Sequence, residues 1–300
     1  MLLPSLFRIQ IRNCRANCLS IDTFAHCCGR KWISDKPQQK EIMNVITKRH
    51  GTIYTIGINR PNARNAVNPE TAAQLVQAFN EFETDPTLTA AVLHGIGGNF
   101  CAGFDLKELS SNATSLRIEP DVTKGPCPMG PSRMQFTKPV IAAVSGYAVA
   151  GGLELSLLAD LRVVEKSATF GVFCRRFGVP LIDGGTVRLP KLIGLSRALD
   201  LILTGRPVGS QEAYEFGLAN RIVPDGQGLQ SAIELAEKIS TFPPKCMLAD
   251  RTSAYYSTFE ASSFADAMQY EFNTGSEVLA EESVAGAKRF KDGEGRKGKL

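Results

Sequence analysis

Short runs rich in β-branched residues alternate with segments of helical period beyond Lys40, and this alternation most restricts the fold of the chain. A period of two residues indicates a strand, whereas apolar residues at i, i+3 and i+4 indicate a helix. Strands and helices that alternate along a chain are typical of an α/β fold. The predicted strands span residues 45–48, 52–58, 90–93, 140–144 and 161–164, with a hairpin turn at His50-Gly51, and the predicted helices span 69–84 and 152–159.

Helical segments dominate the chain from Leu195 onward, so a helical region follows the α/β part. Residues 109–135 contain several Ser, Pro and Gly residues with little periodicity, which predicts a mobile insertion or lid. We expect a leader over residues 1–36, an α/β core over 43–240 and a helical region over 241–300. The later helices are predicted at residues 196–204, 210–216, 229–239 and, as one long tail, 247–290.

The first 34 residues are basic and contain five Lys or Arg residues against one acid. Their apolar residues are interleaved with Arg8 and Arg12 and form no long unbroken core, which disfavours a secretory signal and favours a mitochondrial transit peptide. An extension without function is the alternative. The closing Gly298-Lys299-Leu300 is similar to a peroxisomal tail but has Gly where Ser belongs. We therefore expect the mitochondrial matrix, with the cytoplasm and the peroxisome as alternatives.

Charge and cysteine usage exclude several classes of protein. Beyond residue 34 the chain has 29 basic and 29 acidic residues, so no basic excess predicts a nucleic-acid partner. The most apolar stretch, residues 140–159, contains Gly151-Gly152 and Glu154, which predicts no membrane span. The eight cysteines are scattered, and Cys14 and Cys18 lack a second pair of ligands. We expect reduced thiols, no metal site and no separate cofactor.

Two glycine-containing segments each follow a strand and open into a helix: residues 99–106 and residues 146–154. The first turn of a helix has backbone N–H groups without intrahelical partners, and the helix dipole adds positive potential there. Two such turns facing one another would form an oxyanion hole for a polarised carbonyl. Tight packing between strand and helix is the alternative interpretation of each turn.

Glu154 is the candidate acid in the second segment. It lies between Leu153 and Leu155 in the first turn of an apolar helix. Burial would raise the pKa of its carboxyl and suit the group to proton transfer. A purely structural role at the positive end of the helix is the alternative.

These segments, in this order, resemble the enoyl-CoA hydratase/isomerase (crotonase) superfamily over roughly residues 43–300. The resemblance implies a superhelix of repeated ββα units with a helical C-terminal region, assembled as homotrimers or homohexamers. It also implies an acyl-CoA substrate, with coenzyme A as part of that substrate. Further matching segments are residues 59–68, 184–186, 188–190, 203–205, 289–290 and 293–296.

The resemblance also assigns roles to individual residues. The backbone N–H groups of Phe104 and Gly151 would form the oxyanion hole, and Glu154 would be the first of two acids. The residues that would bind the substrate or its CoA part are Ala63, Arg64, Ala66, Ala102, Gly103, Asp105, Leu106 and Gly152.

The chain departs from the family pattern at the second acid. Family hydratases carry a second glutamate at the position where this sequence has Cys174, followed by Arg175 and Arg176. The thiol is either a candidate acid whose pKa the arginines lower or a small packing residue beside solvated or ligand-binding arginines. Asp183 is another candidate acid; related enzymes place an aspartate one residue earlier, and its alternative role is to cap the helix near Thr186.

We therefore expect an acyl-CoA thioester enzyme that stabilises an enolate, with hydration of a 2-enoyl-CoA as the default reaction. Loss of one member of an acid/base pair reduces a rate by about 10²–10⁴. Cys174 therefore leaves isomerisation, decarboxylation and acyl-CoA hydrolysis as alternatives. A non-catalytic binding protein with the same fold is the rival from another class.

Overall fold

A computed structural model describes residues 43–112 and 118–295 of the chain. The strands are β1 Val45–His50, β2 Ile53–Ile58, β3 Ala90–Gly95, β4 Val140–Val144, β5 Tyr147–Val149, β6 Leu161–Glu165, β7 Thr169–Gly171, β8 Val208–Gly209 and β9 Arg221–Val223. The larger sheet has six strands in the order β1-β2-β3-β4-β6-β9, and the smaller sheet has the order β5-β7-β8. All pairs are parallel except β1 with β2 and β7 with β8.

Helices connect these strands and make up most of the described residues after 241. Short 3₁₀ turns cover Pro61–Ala63, Pro131–Arg133 and Phe173–Phe177, and a π turn covers Leu279–Ser283. The α-helices are α1 Pro69–Thr84, α2 Leu106–Asn112, α3 Gly151–Ser156, α4 Gly185–Ile193, α5 Leu195–Thr204, α6 Ser210–Phe216, α7 Gly228–Ser240, α8 Pro244–Phe259, α9 Phe264–Val278 and α10 Val284–Asp292. Among residues 43–112 and 118–295, no helix is both long enough and apolar enough to cross a membrane.

Local sequence signals account for the first hairpin and helix. β1 and β2 are antiparallel, and Gly51 in the turn has a φ of +59°, which glycine adopts without steric penalty. Helix α1 begins with Pro69, and the side chain of Asn68 accepts a hydrogen bond from the Thr71 amide at 2.9 Å. Both are standard helix-start signals. The predicted hairpin and the predicted helix over residues 69–84 are confirmed.

Helices cover both faces of the larger sheet. Ile56, Leu93 and other residues of one face pack with Phe79 of α1, while Val92 and the alternate residues of the other face pack with Ile233 of α7. Neighbouring residues of a strand point to opposite faces, so strands β2 to β4 are apolar along nearly their whole length. This arrangement confirms the α/β class.

Three predicted segments differ from the structure. The tail over residues 247–290 is three helices, because α8 ends at Phe259 and the side chain of Ser263 accepts a hydrogen bond from Asp266 N to start α9. Helix α3 begins at Gly151 and ends at Ser156, earlier than predicted. Residues 127–132 are largely buried, so the predicted mobile insertion is wrong for that part.

Several sequence-based predictions lie outside the described residues. These are the leader over residues 1–36 with Cys14 and Cys18, the central part of the predicted lid at residues 113–117, and the closing residues 296–300.

Candidate active site

The first glycine-containing turn pairs with the loop that precedes α1. Val67 forms a parallel bridge with Phe104: Val67 N donates to Gly103 O and Asp105 N donates to Val67 O, both at 2.8 Å. In such a bridge the N–H of the central residue points away from the partner strand. The Phe104 amide donates no hydrogen bond within the described part of the chain and is therefore open to an external acceptor.

The second turn has a strained backbone immediately before α3. Ala150 has a φ of +53°, a region that residues with a Cβ rarely occupy, and its amide donates to Gly171 O at 2.9 Å. Strain of this kind persists only where the surroundings enforce it, and it is concentrated at functional sites. The next amide, that of Gly151, begins α3 and has no acceptor among the described residues.

The two turns are in direct contact. Cys101 N donates to Tyr147 O at 2.9 Å, and Val149 N donates to Cys101 O at 3.1 Å. A Cβ on Gly103 would lie 3.0 Å from the amide nitrogen of Gly151, so only glycine allows this approach. The two turns predicted to supply the oxyanion donors, residues 99–106 (the first donor turn) and 146–154 (the second donor turn), are thus brought together. The amides of Phe104 and Gly151 both lack an acceptor among the described residues.

The loop over residues 59–68 is fixed by a buried polar side chain. Asn65 is fully buried and has a φ of +57°. Its Nδ2 donates to Asn99 O at 2.6 Å and to Ile96 O at 3.0 Å, and its Oδ1 accepts from Arg60 N at 2.8 Å. Asn65 therefore ties this loop to the first donor turn, and sequence analysis had not singled it out.

The residues predicted to bind the CoA part lie along these loops. Arg64 O accepts from Ala102 N at 3.0 Å, and the Arg64 guanidinium lies 5.4 Å from the centre of the exposed Tyr147 ring. Ala63 ends the 3₁₀ turn, and Ala66 O accepts a hydrogen bond from the Arg60 guanidinium. The same guanidinium forms an ion pair with Asp105 at 3.0 Å. Leu106 begins α2 and is exposed, whereas Gly152 packs against Cys101.

Glu154 is only 3% exposed, on α3. Its Oε1 accepts from the amides of Asp183 at 2.9 Å and Gly185 at 2.8 Å. Its Oε2 accepts no hydrogen bond in the described part of the chain and is not among the fully enclosed atoms without a partner. Burial raises the pKa of the carboxyl to about 7, although the Gly185 amide opposes the shift. One oxygen is thus fixed and the other is open, in a group whose proton affinity suits transfer near neutral pH.

Asp183 does not cap a helix. Helix α4 begins at Gly185 with Gly184 before it and has no side-chain cap, so the capping alternative is wrong. The Asp183 carboxylate turns instead to the segment over residues 127–132, where its Oδ1 accepts from Met129 N at 3.0 Å. Its burial raises the pKa of the carboxyl. The residue lies beside Glu154 through its own backbone amide.

Cys174 is buried in the 3₁₀ turn, and the two arginines after it serve a different element. Arg175 Nε donates to Ile202 O at 3.0 Å and Arg176 Nη2 donates to Gly205 O at 2.9 Å, so both bind the C-terminal end of α5. Burial, and next the charge of Glu154, raise the pKa of the Cys174 thiol. The thiol is neutral and the arginines bind α5, which favours the alternative in which Cys174 is a small packing residue.

The structure therefore gathers the predicted donors Phe104 and Gly151, the acid Glu154, Asp183 and Cys174 around α3. Sequence analysis missed Met129, whose burial under the donor turn follows no local pattern. It also missed the strain at Ala150, for which a non-glycine residue before Gly151-Gly152 was the only signal. No group of three or more His, Cys, Asp or Glu side chains in the described part of the chain is arranged to hold a metal ion.

Comparison with known proteins agrees with this geometry. The enoyl-CoA hydratase/isomerase family model matches residues 48–296, which is most of the chain. The chain belongs to this family. A crystal structure of an enoyl-CoA hydratase from Mycobacterium tuberculosis H37Rv matches with a TM-score of 0.75 and 35% sequence identity, covering 83% of this chain and 96% of that one. The crotonase fold is thereby confirmed.

Three curated relatives are 34% to 39% identical to this chain over the matched residues. An enoyl-CoA hydratase of Mycobacterium tuberculosis is 39% identical over 213 residues, 69% of this chain and 78% of the relative. A mevalonyl-coenzyme A hydratase of Aspergillus fumigatus is 34% identical, over 68% of this chain and 75% of its own. A carnitinyl-CoA dehydratase of Escherichia coli is 35% identical, over 67% and 76%.

Proposed function

We propose that the protein is an enoyl-CoA hydratase-like enzyme that adds water to a 2-enoyl-CoA thioester or removes it from the corresponding 3-hydroxyacyl-CoA. One observation carries the proposal: a buried carboxyl with one free oxygen, Glu154, lies on the helix whose first amide is an unbonded donor. The relatives named as hydratases and dehydratases support the same reaction class.

In the proposed reaction the thioester oxygen accepts hydrogen bonds from the amides of Phe104 and Gly151. The Glu154 carboxylate takes a proton from water while the water oxygen bonds to the β carbon. The electron pair of the double bond moves onto the thioester oxygen, where the two amides stabilise the enolate. Glu154 then returns the proton to the α carbon, so one carboxyl serves as base and then as acid.

Cys174 favours a mechanism with one proton-transfer carboxyl. Its thiol is neutral and cannot take a proton from water at neutral pH. Double-bond isomerisation also needs only one group that moves a proton, so it is the second candidate reaction. The two differ in product, because hydration adds an oxygen atom and isomerisation does not.

A panel of 2-enoyl-CoA and 3-enoyl-CoA thioesters incubated in ¹⁸O water tests the proposal. Hydration predicts loss of the enoyl thioester absorbance together with an ¹⁸O-labelled 3-hydroxyacyl-CoA. An unlabelled 2-enoyl-CoA formed from the 3-enoyl isomer would instead establish isomerisation. Glu154→Gln is the matched variant. Its amide keeps an oxygen for the two N–H donors but does not titrate near neutral pH, so it cannot transfer a proton. Turnover of neither substrate would reject the enzyme.

The loop over residues 59–68 is the proposed cradle for the CoA part of the substrate, with no separate cofactor. Its two backbone positions of positive φ, Arg64 and Asn65, lie where the loop pairs with the first donor turn. The guanidinium of Arg64 supplies a positive charge that suits a phosphate-bearing ligand. Weaker binding of CoA to Arg64→Ala by calorimetry, with Lys191→Ala as a control on α4, would support this assignment.

Assembly as a homotrimer or homohexamer is proposed from an apolar stripe on α5. Leu195, Leu199 and Leu203 recur every four residues on one face and are 63%, 39% and 69% exposed. Residues four apart share a helix face, and exposed apolar patches of this kind mark association surfaces. Light scattering should show the mass of three or six chains, and Leu199→Glu should reduce it to that of one.

The mitochondrial matrix is the proposed location, on the basic and amphipathic composition of residues 1–34. Fractionation of cells expressing the full chain tests it. Recovery in the cytosol or in peroxisomes would reject it in favour of the corresponding alternative.

A further inference from the structure

Asp183 makes hydrogen bonds in two directions from a buried position. Its main-chain N–H donates to Glu154 Oε1 at 2.9 Å, and its side-chain Oδ1 accepts from Met129 N at 3.0 Å. The side chain therefore does not fix Glu154 directly. It connects the residue that holds Glu154 to the segment over residues 127–132.

That segment is held in place by several further bonds. Cys127 and Gly130 exchange backbone hydrogen bonds at 3.2 and 2.8 Å, and Cys127 Sγ donates to Ile182 O at 3.5 Å. Arg188 donates through Nη2 to Ser132 O at 2.8 Å and through Nη1 to Asp183 O at 3.3 Å. The segment and the start of α4 are thus joined by main-chain and side-chain contacts, with the Asp183 carboxylate at the centre.

Met129 carries this connection to the second donor turn. The residue is 1% exposed, and a Cβ on Gly151 would lie 2.5 Å from its sulfur and 2.9 Å from its Cγ. The Met129 side chain therefore packs against the residue whose amide is the proposed oxyanion donor. A displacement of Met129 would remove the support beneath that amide.

We infer that Asp183 is a positioning residue that holds the Glu154 carboxyl and the Gly151 amide in register, through its own amide on one side and Met129 on the other. This inference rests on the proposed function, in which those two groups act on one substrate. A misplacement of about 1 Å at a reacting group lowers a rate by roughly 10²-fold. Asp183 thus contributes to the rate without transferring a proton.

The charge of Asp183 also acts on Glu154, and it does so among several other groups. After burial and the Gly185 hydrogen bond, repulsion from Asp183 raises the pKa of Glu154, whereas Arg188 lowers it. Cys174, on the 3₁₀ turn, is neutral, and Cys127 is held protonated because burial raises its pKa to about 11. Arg133 also faces Asp183. Removal of the Asp183 charge should therefore lower the pKa of Glu154.

Three variants separate position from charge: Asp183→Ala, Asp183→Asn and Met129→Ala, with Asp250→Asn on α8 as the matched control. Asp183→Ala should lower kcat by about 10²-fold. Asp183→Asn retains an oxygen for the Met129 amide, so it should recover most of kcat, and its pH profile should move to lower pH. Met129→Ala should lower kcat without moving the profile, and Asp250→Asn should match the wild type.

Other outcomes would overturn the inference. Equal loss in Asp183→Asn and Asp183→Ala with no shift of the pH profile would make Asp183 a proton-transfer group, and a wild-type kcat in Asp183→Ala would give it no role. If Asp183→Ala does not fold, the Asn and Met129 variants decide. If the wild type has no activity, an infrared titration tests the effect of the Asp183 charge on Glu154 independently. The carboxyl band of Glu154 is followed with pH in the wild type and in Asp183→Asn. An unchanged pKa of Glu154 in the variant rejects the effect.

Discussion

The resemblance aligns Glu154 and Cys174 with the two glutamates of family hydratases, and the surroundings of these two side chains differ. Glu154 is fixed by two amides on one oxygen and is open on the other. Cys174 sits in a 3₁₀ turn whose arginines bind the end of α5. Glu154 thus presents a carboxyl whose pKa is raised to about 7, whereas Cys174 presents a neutral thiol. We therefore expect acid/base chemistry in this chain to depend on Glu154 rather than on Cys174.

The largest effect should come from Glu154→Gln. Loss of a positioned proton-transfer group lowers turnover by about 10²–10⁴. We expect kcat for the preferred CoA thioester to fall by at least the lower figure, measured in steady-state assays. Glu237→Gln on the exposed face of α7 is the control and should retain wild-type kcat. Equal rates in wild type and Glu154→Gln would contradict the functional difference between Glu154 and Cys174.

The same variant should be more stable than the wild type at high pH. The pKa of Glu154 is about 7 in the folded protein against a usual value of 4.5. The folded state therefore binds more protons than the unfolded state between these two pKa values, and the free energy of unfolding falls as pH rises through that range. Glutamine carries no such penalty. We expect the free energy of unfolding of Glu154→Gln to exceed that of the wild type by at most about 3 kcal/mol above the folded pKa. Urea titrations at low and high pH measure it, and a gap that does not grow with pH contradicts it.

Arg176→Ala should affect stability but not turnover. Its guanidinium lies 3.9 Å from the centre of the Phe173 ring and binds Gly205 O. Loss of these contacts should lower the free energy of unfolding by about 1 kcal/mol. Arg176→Lys, which keeps the charge but loses the flat guanidinium, should lie between the two. A large fall in kcat with an unchanged melting temperature would instead place this arginine in the chemistry.

The smallest effect should come from Cys174→Ala. A neutral buried thiol transfers no proton at neutral pH, so its loss removes only packing atoms. We expect kcat and the pH profile to match the wild type, with a small decrease in melting temperature. A fall in kcat comparable with that of Glu154→Gln would show that Cys174 takes part in the chemistry together with Glu154. Cys246→Ala, at an exposed position on α8, is the control.

The local pattern of the sequence determined much of the fold and of the site. The hairpin at Gly51, helix α1 and the two glycine-containing turns follow from neighbouring residues, since turn and helix signals act over a few positions. The position of Glu154 in the first turn of an apolar helix marked it as the candidate acid, and the resemblance then identified the family. The resemblance also showed that Cys174 stands where family hydratases have their second glutamate, because matching a motif needs only the order of residues along the chain.

Only the tertiary structure decided what those residues touch. The amides that hold Glu154 come from Asp183 and Gly185, about thirty positions away in the sequence. The Asp183 side chain accepts a hydrogen bond from Met129 N rather than capping the start of α4. The arginines beside Cys174 bind α5 for the same reason: hydrogen bonds form between groups that the fold brings within about 3 Å, whatever their separation in sequence. Burial, and with it the raised pKa of Glu154, likewise depends on every element packed around it.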